Sequence, residues 1–264
     1  MHLSSIKNLE NFFKVYLKYY KTPKIIDIGG RVVSGQLSAK YLLKKFNLEN
    51  NYSTADVVND TGVDIYLKNP YNFKNIKENS YDIVISTSTF EHAEFFWLTY
   101  LEILKILKPS GVFYLNAPSN GDFHRYPRDY WRFYPDSGQA LVNWGNYNGY
   151  RSTLLESFIS KKILPEYQWN DFVAVILKNN FYQSKFKKKI MDIDINYYNG
   201  LKKNKIYNFS KTSDDQSDFG FKISIYLRWK ILKTKNRIKK KYTNLKKIFK
   251  NVLMNFFLIF RKKL

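Results

Sequence analysis

The sequence predicts an α/β protein built on a doubly wound, mostly parallel sheet, followed by a basic helical tail. Three observations carry this. An apolar run, Ile25 to Ile28, leads straight into Gly29-Gly30. Strand and helix signals then alternate as far as Leu177. The charge is uneven: the chain carries a net +22, and residues 219–264 hold fifteen Lys and Arg with no Asp or Glu.

Residues 1–21 place Ile6, Leu9, Phe13 and Leu17 at helical spacing, without the apolar core and small-residue cleavage site of a signal peptide, so an amphipathic helix and a cytoplasmic protein are expected. Ile25 to Ile28 is β-branched and apolar apart from Asp27, the pattern of a central strand covered on both faces. Gly29 and Gly30 let the backbone turn sharply and come close to a ligand. Residues 35–46 have helical spacing, with Leu37, Tyr41, Leu42 and Phe46 on one face, so their first amides are expected beside that ligand. Strand, turn and helix make a nucleotide-type pocket.

Further strands are expected over 52–58, ending near Asp56, then 63–67, 81–87, 112–117, 151–159 and 172–177. Helices are expected over 91–107, with Phe95, Leu98, Leu101, Ile103, Leu104 and Leu107 on the apolar face, and over 135–144. Residues 184–218 are polar and weakly periodic, a loosely ordered linker or small insertion.

The 264 residues suffice for one α/β core of ~200 residues and an appendage. The absence of cysteine excludes disulfides and Cys-ligated zinc or iron–sulfur centres. The longest apolar run, Val252 to Phe260, falls short of the ~20 residues a membrane-spanning helix needs.

Taken in order, IIDIGG, YDIVISTSTFEH and LEILKILKPSGVFYLNAP resemble the successive motifs of class I S-adenosylmethionine-dependent methyltransferases, in particular the type 11 methyltransferase-domain group, over residues 22–180. The resemblance implies a Rossmann-like, seven-stranded sheet whose last strand is antiparallel, with S-adenosylmethionine as cofactor. It places Asp27 beside the methionine amino group, Gly29 and Gly30 in backbone contact, and Asp56 with Val57 at the ribose. Asn69 and Tyr71 are candidates to meet the adenine, and Ser86, Thr87 and Glu91 to flank the methyl donor. Arg31 stands where the group usually has a further glycine. Glu91-His92 opens the expected long helix, where an acid also complements the helix dipole. Glu91, His92 and Glu94 alone do not make a metal site, and none is expected.

The second informative stretch is Pro118 to Phe133, a long loop rich in aromatic and charged residues that leaves the fifth strand. Methyl transfer to a hydroxyl is an in-line displacement that a base can assist, and imidazole suits that task. His124 is therefore the first candidate base, with Asp122 or Asp129 as orienting or alternative groups. His92, Tyr126, Tyr130 and Trp131 are candidate acceptor contacts, the aromatics stacking on a sugar ring. Arg125, Arg128 and Arg132 are candidates to hold a phosphate or carboxylate. An aromatic lid packed on the core, its arginines paired with acids, explains the same composition. HRYPRDYWRF resembles loops of methyltransferases associated with surface-polysaccharide and glycan assembly, which implies a sugar or glycolipid acceptor.

Residues 221–264 combine lysines with apolar positions at helical spacing, including Leu245, Ile248, Phe249, Val252, Leu253, Phe256 and Phe257. An anionic membrane surface, nucleic-acid phosphates and packing on the chain's own domain all remain open for this tail. A nearly unbroken apolar end favours the membrane, and with it a peripheral position on the inner face.

Overall fold

A computed structural model describes residues 2–33, 36–163, 169–212, 214, 230, 231 and 233–235. The chain divides into two units, residues 1–211 and 212–264. The basic tail expected over 221–264 lies outside the described residues, apart from residues 230, 231 and 233–235, which are helical. Among the described residues, no helix is long and apolar enough to cross a membrane.

In the first unit, α1 is Leu3–Tyr16, β1 Ile25–Ile28, α2 Ala39–Leu43, β2 Tyr52–Asp56, β3 Ile65–Tyr66 and β4 Tyr81–Thr87. Then come α3 Phe96–Ile106, β5 Leu107–Pro118, α4 Pro135–Tyr147, β6 Thr153–Ser160, β7 Asp171–Leu177, β8 Tyr197–Lys202 and β9 Lys205–Tyr207. They form one sheet in the order β3-β2-β1-β4-β5-β7-β6-β8-β9. β3 to β5 pair in parallel, whereas β7 runs antiparallel to both β5 and β6. This is the expected Rossmann-like α/β fold, with a parallel core and an antiparallel end.

Alternation along the central strands makes two cores. Ile25, Ile83, Ile85, Val112, Tyr114 and Val175 face α1, where Leu9, Phe12, Phe13 and Tyr16 pack on them. Ile26, Ile28, Val84, Phe113, Leu115 and Ala174 face the other way, toward Tyr100, Ile103 and Leu104 of α3 and Leu141 and Val142 of α4. Buried side chains on both faces account for the continuous apolar runs.

Three expectations are corrected. The helix read over 35–46 forms only over Ala39–Leu43, with a 3₁₀ turn after it. Ser38 caps it, its Oγ accepting from the Tyr41 amide at 3.3 Å, so the helix starts well beyond the glycines. Its buried face is Ala39, Leu42 and Leu43, while Leu37 and Tyr41 are exposed.

The long helix begins at Phe96, not residue 91, and Glu91-His92 sits in a separate 3₁₀ turn, Phe90–His92. Its buried side is Thr99, Tyr100, Ile103, Leu104 and Ile106, and Phe95 lies on the surface. The dipole argument for Glu91 therefore lapses.

The sheet has nine strands where seven were expected. β8 and β9 come from the stretch read as linker or insertion and pair as a hairpin on β6. Lys203 and Asn204 turn it, both with positive φ. Only Tyr197 and Gly200 of this edge hairpin are buried, which left little alternation to read.

Candidate active site

The strand order reverses between β1 and β4, since β1 connects to β2 on one side and β4 to β5 on the other. In open α/β sheets, ligands bind at the carboxyl ends of the strands at such a point. A cavity of about 500 Å³ opens there, in the usual range for small-molecule sites. Its wall includes Asp27 to Val33, Asp56 to Val58, Thr87 to Thr89, Tyr71, His92 and the loop segment His124 to Pro127.

The glycine turn is held by its neighbours. Gly29 has φ +77°, and a Cβ there would lie 2.2 Å from Thr89 Oγ1. The Gly29 and Gly30 amides both donate to the Ala55 carbonyl, at 2.8 and 3.4 Å. The Arg31 amide donates to Asp56 Oδ2 at 3.2 Å, and the Val58 amide to Asp56 Oδ1 at 2.9 Å. The glycines thus supply a close approach of bare backbone to the cavity, their own N–H groups being committed to β2.

Asp27 is the polar group at the cavity floor. Tyr52 donates its hydroxyl to Oδ2 at 2.9 Å, while the buried Oδ1 has no partner. Burial pushes the Asp27 carboxyl up to about 7, against the Tyr52 hydrogen bond and with help from Asp56. Thr87 Oγ1 is also buried without a partner. Buried polar atoms are seldom left unsatisfied. Two such atoms beside bare backbone therefore fit a polar ligand carrying an amino group.

The other cofactor candidates divide. Val57 and Tyr71 line the cavity, and Asn69 does not. Asn69 Oδ1 instead accepts from the Tyr71 amide at 2.8 Å, which shapes the turn. Ser86 is fully buried and donates to the Ile28 carbonyl at 2.9 Å, which ties β4 to β1.

On the loop, His124, Arg125 and Tyr126 reach the cavity wall, and Asp122, Arg128, Tyr130 and Trp131 are not part of it. Trp131 is an anchor: Nε1 donates to the Ala93 carbonyl at 3.1 Å, and its ring meets Phe96 edge-on at 5.4 Å. The Tyr130 and Trp131 amides donate to the Glu91 carbonyl at 2.8 and 3.2 Å. Asp129 takes Arg132 in a two-pronged pair at 2.5 and 2.8 Å and accepts the His124 amide at 2.8 Å. Arg132 holds the Asp129 carboxyl down at about 2, which makes Asp129 an orienting group and a poor base. The lid explanation therefore matches Trp131 and Arg132, while Tyr130 is exposed.

Arg31 is the residue whose part was hardest to foresee. Its guanidinium donates to the Tyr126 hydroxyl, lies 5.3 Å from the centre of that ring, and pairs with Asp60 at 3.3 Å. The side chain in place of a glycine thus links the turn to the loop.

Behind this link sit three groups from two segments. Glu91, His92 and His124 each offer one ligand atom within 4.8 Å of the others. Sequence spacing gave only Glu91 and His92 with Glu94, and the fold brings His124 to them instead. Burial pushes the Glu91 carboxyl up to about 8 and His92 below its usual range.

Switch-point cavity, glycine turn and unpaired acid define a nucleotide-cofactor site in a doubly wound sheet. A protein family described as a methyltransferase domain matches residues 24–115, β1 through most of β5. Over those residues the chain carries a methyltransferase domain, of the kind that uses S-adenosylmethionine. Similar solved structures include 1,6-didemethyltoxoflavin-N1-methyltransferase from Burkholderia thailandensis, at 14% identity over 67% of this chain and 79% of that one, with a TM-score of 0.49. A SAM dependent methyltransferase from Archaeoglobus fulgidus is 11% identical over 64% of this chain and 93% of that one, with a TM-score of 0.44. Phosphoethanolamine N-methyltransferase 2 of Haemonchus contortus is 14% identical over 66% and 52%, with a TM-score of 0.46. A search of the curated proteins finds no match.

Proposed function

We propose that the enzyme transfers the methyl group to a hydroxyl of a sugar or glycolipid intermediate. One observation carries the reading: the glycine turn and the loop segment His124 to Pro127 line the same cavity. The cofactor supplies an electrophilic methyl on a sulfonium, and everything else falls to the chain. Asp27 holds the amino group of the methionine portion with its unpartnered oxygen. Asp56, fixed by two backbone amides, accepts the ribose hydroxyls from its remaining lone pairs. His124 has Nδ1 3.2 Å from the Asp122 carbonyl, which leaves Nε2 to take the proton of the acceptor hydroxyl. Arg125 holds an anionic group of the acceptor, and Tyr126 gives a sugar ring a face to stack on. The basic tail would bring the enzyme to the inner face of an anionic membrane, where glycolipid intermediates sit.

The test is transfer of labelled methyl from S-adenosylmethionine to nucleotide-sugar and lipid-linked sugar acceptors, with His124→Ala beside the wild type. Labelled sugar from the wild type, reduced by about 10²-fold or more in the variant, supports the reading. Cofactor binding with no transfer to any sugar, or transfer only to RNA or DNA, would overturn it.

A further inference from the structure

We infer that Glu91, His92 and His124 form a binding site for one divalent first-row transition-metal ion of the zinc type, in the cavity wall next to the acceptor. The ligand atoms of the three lie within 4.8 Å of one another. Around a tetrahedral zinc with ligands at ~2.0–2.2 Å, donor atoms stand about 3.4 Å apart. The three groups therefore need to close by about an ångström to hold the ion. Glu91 Oε1 and His92 Nε2 are already 3.8 Å apart.

Two observations independent of that proximity point to a cation. Each imidazole has Nδ1 against a backbone carbonyl, His92 against Arg128 and His124 against Asp122. That hydrogen bond fixes the tautomer with its lone pair on Nε2, as metal-ligating histidines are commonly held. Glu91 is 1% exposed, and its Oε2 is buried without a partner. A buried carboxyl oxygen left without a hydrogen bond is seldom seen, and a cation bound beside it would satisfy that oxygen. The rest of the surroundings is built as well. The Glu91 backbone carbonyl takes the Tyr130 and Trp131 amides, and Asp129 takes the His124 amide. The loop that brings His124 over is thereby pinned to the turn that carries Glu91 and His92.

Two nitrogens and one oxygen suit zinc and its neighbours better than magnesium or calcium, which prefer oxygen throughout. Three protein ligands leave a fourth position open. His92 and His124 line the cavity, so that position faces the acceptor side. An ion there lowers the pKa of an oxygen bound to it. The nitrogen that would take a proton from the acceptor is the one that would hold the ion. Acceptor activation then passes from imidazole to cation.

The chain has three histidines and no cysteine, so tag-free protein freed of metal by chelation gives a clean titration. Zn²⁺ is titrated calorimetrically, and Co²⁺ is followed by its visible absorption. The expected result is one ion per chain, with affinity reduced at least about tenfold in His92→Asn, His124→Asn and Glu91→Gln. His2→Gln, at the other histidine, is expected to bind as the wild type does. His124 is part-exposed on a loop, so His124→Asn remains informative if Glu91→Gln does not fold. No binding by folded wild-type protein, unchanged affinity in all three variants, or loss of binding in His2→Gln alone would each overturn the inference. S-adenosylmethionine binding, measured separately, reports on the methyltransferase reading and is not expected to need the metal.

Discussion

The guanidinium of Arg31 and the ring of Tyr126 meet 5.3 Å apart across the mouth of the cavity, joined also by a hydrogen bond to the Tyr126 hydroxyl. One residue belongs to the glycine turn and the other to the long loop, so the contact spans the two halves of the site. An exposed cation–π contact contributes about 0.5–1 kcal/mol, and a net hydrogen bond about 1 kcal/mol. Together these amount to about ten- to thirtyfold in a dissociation rate. Tyr126→Ala is therefore expected to speed S-adenosylmethionine release by about ten- to thirtyfold, with the melting temperature lowered by only a few degrees, because neither residue is in either core. Stopped-flow displacement of the cofactor measures it, and an unchanged release rate would remove the latch role.

Asp27 gives the site a pH dependence. Burial keeps its carboxyl protonated up to about 7, whereas in the unfolded chain it titrates near 4. Between those values the folded state binds the extra proton, so this group's contribution to stability is full below about pH 4 and is lost as pH rises through 7. Cofactor binding runs the other way, since a cationic amino group prefers the ionised acid. Affinity for S-adenosylmethionine is expected to rise about tenfold per pH unit on approaching pH 7 from below, then level off. Calorimetric titrations from pH 5.5 to 8.5 test this. Asp27→Asn should bind weakly at every pH and lose the slope.

Gly29 and Gly62 separate strain from steric conflict. Both have positive φ, +77° and +88°. A Cβ on Gly29 meets Thr89 Oγ1 at 2.2 Å, and one on Gly62 meets nothing within 4 Å. Gly62→Ala should cost about 1 kcal/mol of stability and leave cofactor binding alone. Gly29→Ala should cost more, about 2–3 kcal/mol, and push the turn out of register with the cavity. Melting curves and a cofactor titration on the two variants give the comparison. Cofactor binding in Gly29→Ala as tight as in Gly62→Ala would mean the turn tolerates a side chain.

Much of this was legible in the chain because strand burial writes itself into sequence. Ile25 to Ile28 and Tyr81 to Thr87 are strands with the bounds their apolar runs gave. Helix starts were less legible, since a start depends on where tertiary packing begins. Phe95 has the spacing of the α3 face yet lies outside it, because the 3₁₀ turn at Phe90–His92 sets the chain's direction first. Partners across the fold were not legible at all. Glu156 reads as one acid in an apolar strand, and the fold gives it the Tyr16 hydroxyl at 2.6 Å and the Ile190 and Met191 amides at 2.8 and 3.0 Å. His124 likewise could be picked out as chemically apt, but its meeting with Glu91 and His92 is decided by the path of the loop between them.

That path hangs on Asp129 and Arg132. The carboxylate takes two guanidinium nitrogens at 2.5 and 2.8 Å and the His124 amide at 2.8 Å. A second guanidinium contact, Arg132 Nη2 to the Asp122 carbonyl at 2.9 Å, closes the loop on itself. Lysine has one point charge and cannot reproduce a fork that grips both a carboxylate and a carbonyl. Arg132→Lys is therefore expected to behave like Arg132→Ala, with kcat for methyl transfer down about 10–100-fold while S-adenosylmethionine affinity falls by no more than the share carried by the Arg31–Tyr126 contact. The acids that hold the cofactor, Asp27 and Asp56, lie on β1 and β2, which neither residue touches, so a merely destabilised enzyme would lose binding and turnover in equal measure. Cofactor titration beside single-turnover methyl transfer makes the distinction, and full activity in Arg132→Lys would show that charge alone, without the fork, holds His124 in place.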